Sequence, residues 1–295
     1  METASTADLR KKYKKKSQAA EAWRRLTKNK MAMLGLAILV VFLLIAIFAD
    51  VIADYDTVVI KQDIAGRLQG PSGAHWFGTD EYGRDIFARL VHGTRISLIV
   101  GFASVVVGVV IGGLLGAVAG YYGGKVDNVI MRLLDIVLAV PAILLCMAII
   151  AAFGTSTANL IFAIGVSNVA KFARVVRASV ITLKDQEFVE SARAAGCTEF
   201  AIILRHIIPN CLAPIIVQFT LRVAYAILAT SSLSFLGIGV LPPAPEWGAM
   251  LSGGRTFIRD SSYITIFPGI AIMLTILALN LLGDGLRDAL DPRLK

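Results

Sequence analysis

Six apolar runs, at about residues 31–53, 96–121, 130–153, 157–178, 210–235 and 263–284, constrain this chain more than anything else in it. About 20 helical residues, rising about 1.5 Å each, cross a hydrocarbon core of about 30 Å, and every run is long enough to do so. The expected fold is all-α and integral to the membrane, with six transmembrane helices. Composition agrees: 17% of residues are charged and 56% hydrophobic, against about 25% charged in a soluble domain.

Charge sets the orientation. Ten Lys and Arg residues, from Arg10 to Lys30, precede the first run. A basic block abutting a long apolar stretch reads as a topology signal rather than as a nucleic-acid surface. With the loops assigned alternately, 21 Lys and Arg residues fall inside and 7 outside, and Arg222 falls within a span. Both termini are therefore expected in the cytoplasm. The first run is too long for a signal-peptide core and has no clear small-residue cleavage site. Residues 1–30 read as a basic tail plus an interfacial helix with Trp23 at headgroup level. Residues 31–53 then form the first span, 54–95 an external segment, and 96–295 the transmembrane core. Lys171, Arg174 and Arg177 read as a helix emerging into the cytoplasm, with the fourth span ending near Ala170.

Small residues recur at Ser104, Gly108, Gly112, Gly116 and Gly120, an i, i+4 series that lets another helix approach closely; the partner is open between this chain and another. Arg132 and Asp135 are spaced to bridge on one helix face. Asp284, Arg287 and Asp288 form a charge cluster placed to brace a cytoplasmic hairpin. Pro141, Pro214 and Pro268 predict kinks. Cys146, Cys197 and Cys211 form no CxxC pair and His75, His92 and His206 lie far apart, so neither a disulfide framework nor a metal site is expected.

Between the fourth and fifth runs lies a polar, small-residue-rich hairpin, residues 187–209. Ala192, Ala194 and Ala195 favour a slender helix, Gly196 suits the left-handed residue that ends it, and Thr198 can cap the next helix. Pro209 marks the passage into the fifth span. A slender helix of this kind fits a groove on a partner, with Glu190, Arg193 and Glu199 supplying orienting contacts. No nucleotide-binding loop accompanies it: Gly124-Lys125 comes nearest, but Ala119 stands upstream and Val126 follows. HExxH and GxSxG are also absent, so no enzymatic reading has a constellation to rest on.

Glu190-Ser191-Ala192, then Gly196, then Ile208-Pro209 resembles the EAA loop of ABC importer permeases. Ser191 replaces an alanine of that pattern, His206 its isoleucine and Ile208 its leucine. Phe77-Gly78-Thr79-Asp80-Glu81-Tyr82-Gly83-Arg84-Asp85, Leu233-Ser234-Phe235-Leu236-Gly237 with Glu246-Trp247-Gly248, and Gly283-Asp284-Gly285-Leu286-Arg287-Asp288 resemble the second-type permease of the dipeptide/oligopeptide subfamily. The resemblance implies a type I importer permease in a prokaryotic inner membrane. It implies a second related permease, two cytoplasmic ATPases that bind ATP and Mg, and an extracytoplasmic binding protein. It implies no cofactor in this chain. Glu190, Ser191, Ala192, Arg193, Gly196, Glu199 and Pro209 are then the ATPase-coupling residues. The cargo implied is a peptide; glutathione or a metal chelate is the alternative within the family, and a stand-alone channel or carrier the alternative outside it.

Polar residues in spans mark the candidate translocation path, because they are costly in hydrocarbon and face a cavity or another helix. They are Asn168 in the fourth span and Gln218, Arg222, Tyr225, Thr230 and Ser231 in the fifth. Arg222, near mid-membrane, either meets a peptide carboxylate or pairs with a group at the boundary with the second permease.

Overall fold

A computed structural model of the chain describes residues 18–290; the basic residues before Gln18, and Arg293 and Lys295, lie outside the described residues. The described chain is helical almost throughout. Helix α1 (Gln18–Leu26) leads to α2 (Lys30–Ile47), which Asn29 caps by accepting hydrogen bonds from the Met31 and Ala32 amides, both at 3.1 Å. α2 lies against α10 (Tyr263–Leu290), where a side chain at Gly35 would sit 2.6 Å from the Ala278 carbonyl oxygen.

Helix α3 runs from Ile86 to Tyr122 and so starts ten residues before the apolar run begins. Asp85 caps it, accepting from the Ala88 amide at 2.8 Å. Its first turns carry charge that the external segment absorbs. Arg95 Nε donates to the Ala46 carbonyl at 2.8 Å and its Nη2 pairs with Asp50 at 2.9 Å. Arg89 Nη1 donates to the Val59 carbonyl at 3.2 Å, and His92 meets the Ala53 carbonyl at 2.8 Å. Charge that is hydrogen-bonded within the fold is invisible to hydropathy, which is why the helix outruns its apolar stretch. The Arg95 guanidinium beside Asp50 also holds that carboxyl below its usual range.

The third apolar run is not one helix. α4 (Gly124–Ala139) and α5 (Ala142–Phe153) meet at a 91° bend. Pro141 lacks the N–H that would continue the ladder, and its ring pushes Val140 to extended backbone, with ψ 127°. The other two prolines do less. Pro214 is the third residue of α8 (Leu212–Phe235), where no intrahelical donor is needed, and α10 continues through Pro268.

α6 (Thr157–Leu183) is continuous for 27 residues and runs on through Lys171, Arg174 and Arg177. Two of its cations are accounted for by α4. Arg174 pairs with Asp135 at 2.6 Å, and Arg177 forks onto both oxygens of Asp127 at 2.5 and 2.6 Å. Asp135 thus bonds across helices to Arg174 rather than along its own helix to Arg132.

The most extensive helix contact joins α3 and α6, and it answers the question left by the small-residue stripe: the partner is in this chain. Gly108 faces Asn168 and Gly120 faces the Arg177 carbonyl, each 2.9 Å from where a Cβ would stand. Cβ atoms at Gly112 and Gly116 would overlap the carbonyl oxygens of Val169 and Ala173. Beside the first turns of α3, α9 (Trp247–Gly254) closes the bundle with fully buried Trp247, whose indole donates to the Leu90 carbonyl at 3.2 Å. At the opposite end of α10, Ala289 packs with Leu26 of α1 and Ala32 of α2. The Asp284–Asp288 cluster is therefore seated by α1 rather than against the 187–209 hairpin.

Five described helical stretches are long and apolar enough to span a bilayer: α2, α3, α6, the stretch Glu199–Phe235 and α10. The bent α4–α5 pair makes a sixth if it counts as one span.

Candidate functional site

The hairpin begins with α7 (Glu187–Ala194). It ends in two bonds characteristic of a left-handed stop: the Gly196 amide donates to the Arg193 carbonyl at 3.0 Å and the Cys197 amide to the Ala192 carbonyl at 3.1 Å. Gly196 takes φ +81° with open space around it, so glycine is required there by backbone conformation and not by crowding. Thr198 then caps the turn Glu199–Ile202, accepting from the Ala201 amide at 3.3 Å. The chain passes through a wide turn at Ile203–Ile207 and a tight one at Ile208–Cys211, which contains Pro209, before α8 starts. Proline withholds the donor that a regular α-helix would use there.

One face of the hairpin is an anchor. Val189, Ala192, Ile202, Ile203, Ile207 and Cys211 are buried against Ala117 and Tyr121 of α3 and Val176 and Val180 of α6. The opposite face is free. Glu190, Ser191, Arg193, Ala194, Ala195, Glu199, Phe200 and Pro209 are exposed, a surface with little side-chain bulk on α7. Arg193 and Glu199 also serve the anchor. Tyr121 donates a very short hydrogen bond to Glu199, Arg193 Nη2 donates to the Tyr121 hydroxyl at 3.1 Å, and Arg193 Nε lies 3.6 Å from Glu199. The hydrogen bond to the Tyr121 hydroxyl raises the Arg193 guanidinium above its ordinary value. Tyr121 was not singled out in the sequence; an aromatic residue closing an apolar run gives no sign of what it will meet.

The candidate path residues divide into two groups. Asn168 and Thr230 are fully buried and Ser231 nearly so. Asn168 Nδ2 donates to the Ile164 carbonyl at 3.0 Å, and Thr230 to the Ala226 carbonyl at 2.8 Å. Ser231 donates to the buried Glu246 at 3.3 Å, beneath Gly248. These three sit within helix–helix contacts. Gln218, Arg222 and Tyr225 are half-buried on one side of α8. With its amide oxygen turned to the guanidinium, Gln218 accepts from Arg222 Nε and Nη2 at 2.7 and 3.1 Å. Lys171 of α6 joins this group, its ammonium 4.6 Å from the centre of the Tyr225 ring. Beside it Ser167, Cys146, Tyr225 and Ser232 line a cavity of about 100 Å³ between α5, α6 and α8.

Comparison with known proteins identifies the surroundings of this site. The model of the family described as binding-protein-dependent transport system inner membrane component matches residues 112–295, and that of the N-terminal TM domain of oligopeptide transport permease C matches residues 17–71. The dipeptide transport system permease protein DppC of Alkalihalophilus pseudofirmus is 50% identical over 275 residues, covering 93% of this chain and 90% of that one. The glutathione transport system permease protein GsiD of Pectobacterium atrosepticum is 45% identical, over 93% and 91% respectively. Among solved structures, the MetNI methionine ABC transporter in inward-facing conformations superposes with a TM-score of 0.55 at 18% identity, over 69% of this chain and 96% of that one. An amino acid ABC transporter does so with a TM-score of 0.52 at 17% identity, over 68% and 94%. At that identity the two structures establish the shared fold.

Proposed function

This chain belongs to the inner-membrane components of binding-protein-dependent transport systems, and from that premise we propose that it forms half of the translocation path of an ATP-driven peptide importer. It is a multi-pass permease subunit and a transporter component, not an enzyme. The observation that carries the coupling role is the hairpin: a rigidly anchored element whose outer face is bare, in a chain without a nucleotide-binding loop. Glu190, Ser191, Ala194 and Ala195 offer that face to a cytoplasmic ATPase, while Ala192, Arg193, Gly196, Glu199 and Pro209 hold its shape. ATP and Mg are bound by two such ATPases, and an extracytoplasmic binding protein delivers cargo.

In this reading the bent α4–α5 pair counts as one span, which makes six and places both termini in the cytoplasm, in agreement with the distribution of Lys and Arg. A second related permease supplies the other wall of the path, and Gln218, Arg222 and Tyr225 face it. Asn168, Thr230 and Ser231 stiffen the wall from behind. Anchoring the hairpin on the ends of α3 and α6 lets ATPase closure move those helices as a body, a bistable rocking between inward-open and outward-open states. The relatives named for dipeptide and glutathione transport support a short peptide as the load.

Extraction in mild detergent through a C-terminal tag tests the assembly. Co-purification of a second permease and ATPase subunits is expected, with peptide uptake restored once the binding protein is added to proteoliposomes. Recovery of this chain alone, taking up substrate unaided, would instead identify a carrier.

A further inference from the structure

Along α6, three cations follow one another at Lys171, Arg174 and Arg177. The lower two each have a carboxylate from α4, Asp135 and Asp127. Lys171 does not. Beyond Asp135, α4 brings only apolar side chains before the bend at Pro141, with Leu134 and Leu138 packed in one cluster with Val169 and Ala170, and α5 carries no acid either. Arg222, across on α8, is in the same position. Gln218 occupies its Nε and Nη2, Nη1 donates to no group among the described residues, and no carboxylate lies within 4 Å of it or of Lys171 among them. The two cations share a neighbour, since Tyr225 lies one turn from Arg222 on α8 and its ring stands 4.6 Å from the Lys171 ammonium. The Tyr225 ring supports Lys171 through its face, an attraction of about 0.5–2 kcal/mol that does not neutralise the charge.

Two half-buried positive charges thus lie near the midpoints of two spanning helices. Each costs about 2.5–3.5 kcal/mol at that depth without a partner, so lipid tails cannot be what they face. Tyr225 also lines a cavity between α5, α6 and α8, where it adds its hydroxyl to those of Ser167 and Ser232. We infer that Lys171 and Arg222 together form a carboxylate site in the path, which receives the C-terminal carboxylate of the peptide cargo while Tyr225 holds the lysine in place. This rests on the peptide-importer reading and adds to it a point of contact and a residue, Lys171, that reads in the sequence as part of a helix emerging into the cytoplasm.

The test uses the complete complex with its binding protein in proteoliposomes, comparing uptake of labelled alanyl-phenylalanine with that of its C-terminal amide. The binding protein is the same in every arm, so its own preference cancels in the ratio. Lys171→Gln and Arg222→Gln are each expected to lower free-acid uptake about tenfold, the worth of one charge-assisted contact, with amide uptake changed less than about twofold, and Lys171→Arg is expected to restore the acid. Equal loss of acid and amide would overturn the site and assign the cations to an acidic group of the second permease or to a lipid phosphate. Should the binding protein deliver no amide, the complex without it supplies the readout. Leu228→Cys, one turn from Tyr225, in a background lacking the three native thiols, is expected to be shielded from maleimide by the free acid and not by the amide. That shielding should vanish with Lys171→Gln, and shielding by both compounds would overturn the site. A wild-type complex that takes up no peptide at all refutes the peptide-importer reading itself, an outcome distinct from wild-type uptake with unselective variants.

Discussion

Helix α6 has two working sides, and they could hardly be built more differently. Toward α3 it offers small residues and carbonyls to a row of glycines so close that a single added carbon at Gly112 or Gly116 would overlap the neighbouring backbone. Toward α8 it carries Lys171, half-buried beside Tyr225, with no carboxylate within 4 Å of it among the described residues. The first side is closed and its contacts are saturated; the second is open and its charges are not. A seam of the first kind is what holds a membrane bundle together where no hydrophobic effect draws helices to one another. A surface of the second kind is retained in spite of its cost, and the reason for it lies outside the chain.

The largest effect expected from breaking this contrast is at the seam. Gly112→Leu forces the helices apart, and overpacking of this kind costs about 1–3 kcal/mol or more; loss of the monodisperse peak in detergent chromatography is expected. Gly113→Leu is the control, since nothing lies within 4 Å of its added carbon, and its chromatogram should match the unaltered protein. Next is the paired cation. Asp127→Asn strips the fork from Arg177, and since both groups are partly exposed the loss is about 1–2 kcal/mol, read as a lowered thermal midpoint. The opposite sign is expected about two turns back along α6. Lys171→Met removes a charge with no acid partner among the described residues and should stabilise the isolated chain by about 1 kcal/mol, read as a raised thermal midpoint, while uptake falls. Smallest is Tyr121→Phe, which removes the hydroxyl shared by Arg193 and Glu199. About 1 kcal/mol is expected, seen as faster hydrogen exchange confined to the hairpin.

The same contrast explains what could be read in the sequence. The glycine row was legible because its i, i+4 spacing has one meaning on a helix, although nothing in it could name α6 as the partner. The hairpin was legible for the same reason: Gly196 and Thr198 stop and start helices through their own backbone chemistry. Lys171, Arg174 and Arg177 were read as a helix emerging into the cytoplasm, and a linear reading cannot see that Asp127 and Asp135 come back to meet two of the three. α3 starts ten residues before its apolar run for a related reason, since Arg89, His92 and Arg95 find their partners only once residues 46–59 have folded beside them. Pro141 was expected to kink a span and instead broke it by 91°, a difference of degree that depends on whether neighbouring helices fill the opened turn. Asn168, Thr230 and Ser231 were grouped with Arg222 by polarity alone, and burial separates them.

The account stands most directly on the hairpin as the place where ATP hydrolysis is felt. Ala195 is exposed, follows α7 in ordinary backbone geometry and takes no part in the anchor, so Ala195→Trp adds bulk to the docking face without disturbing the fold. The measurement is substrate-stimulated ATP hydrolysis by the assembled complex with its binding protein. Stimulation should be lost in Ala195→Trp while the permease remains folded and paired with its sister subunit. Stimulation at the unaltered level would contradict the claim that this surface couples the membrane helices to the ATPases.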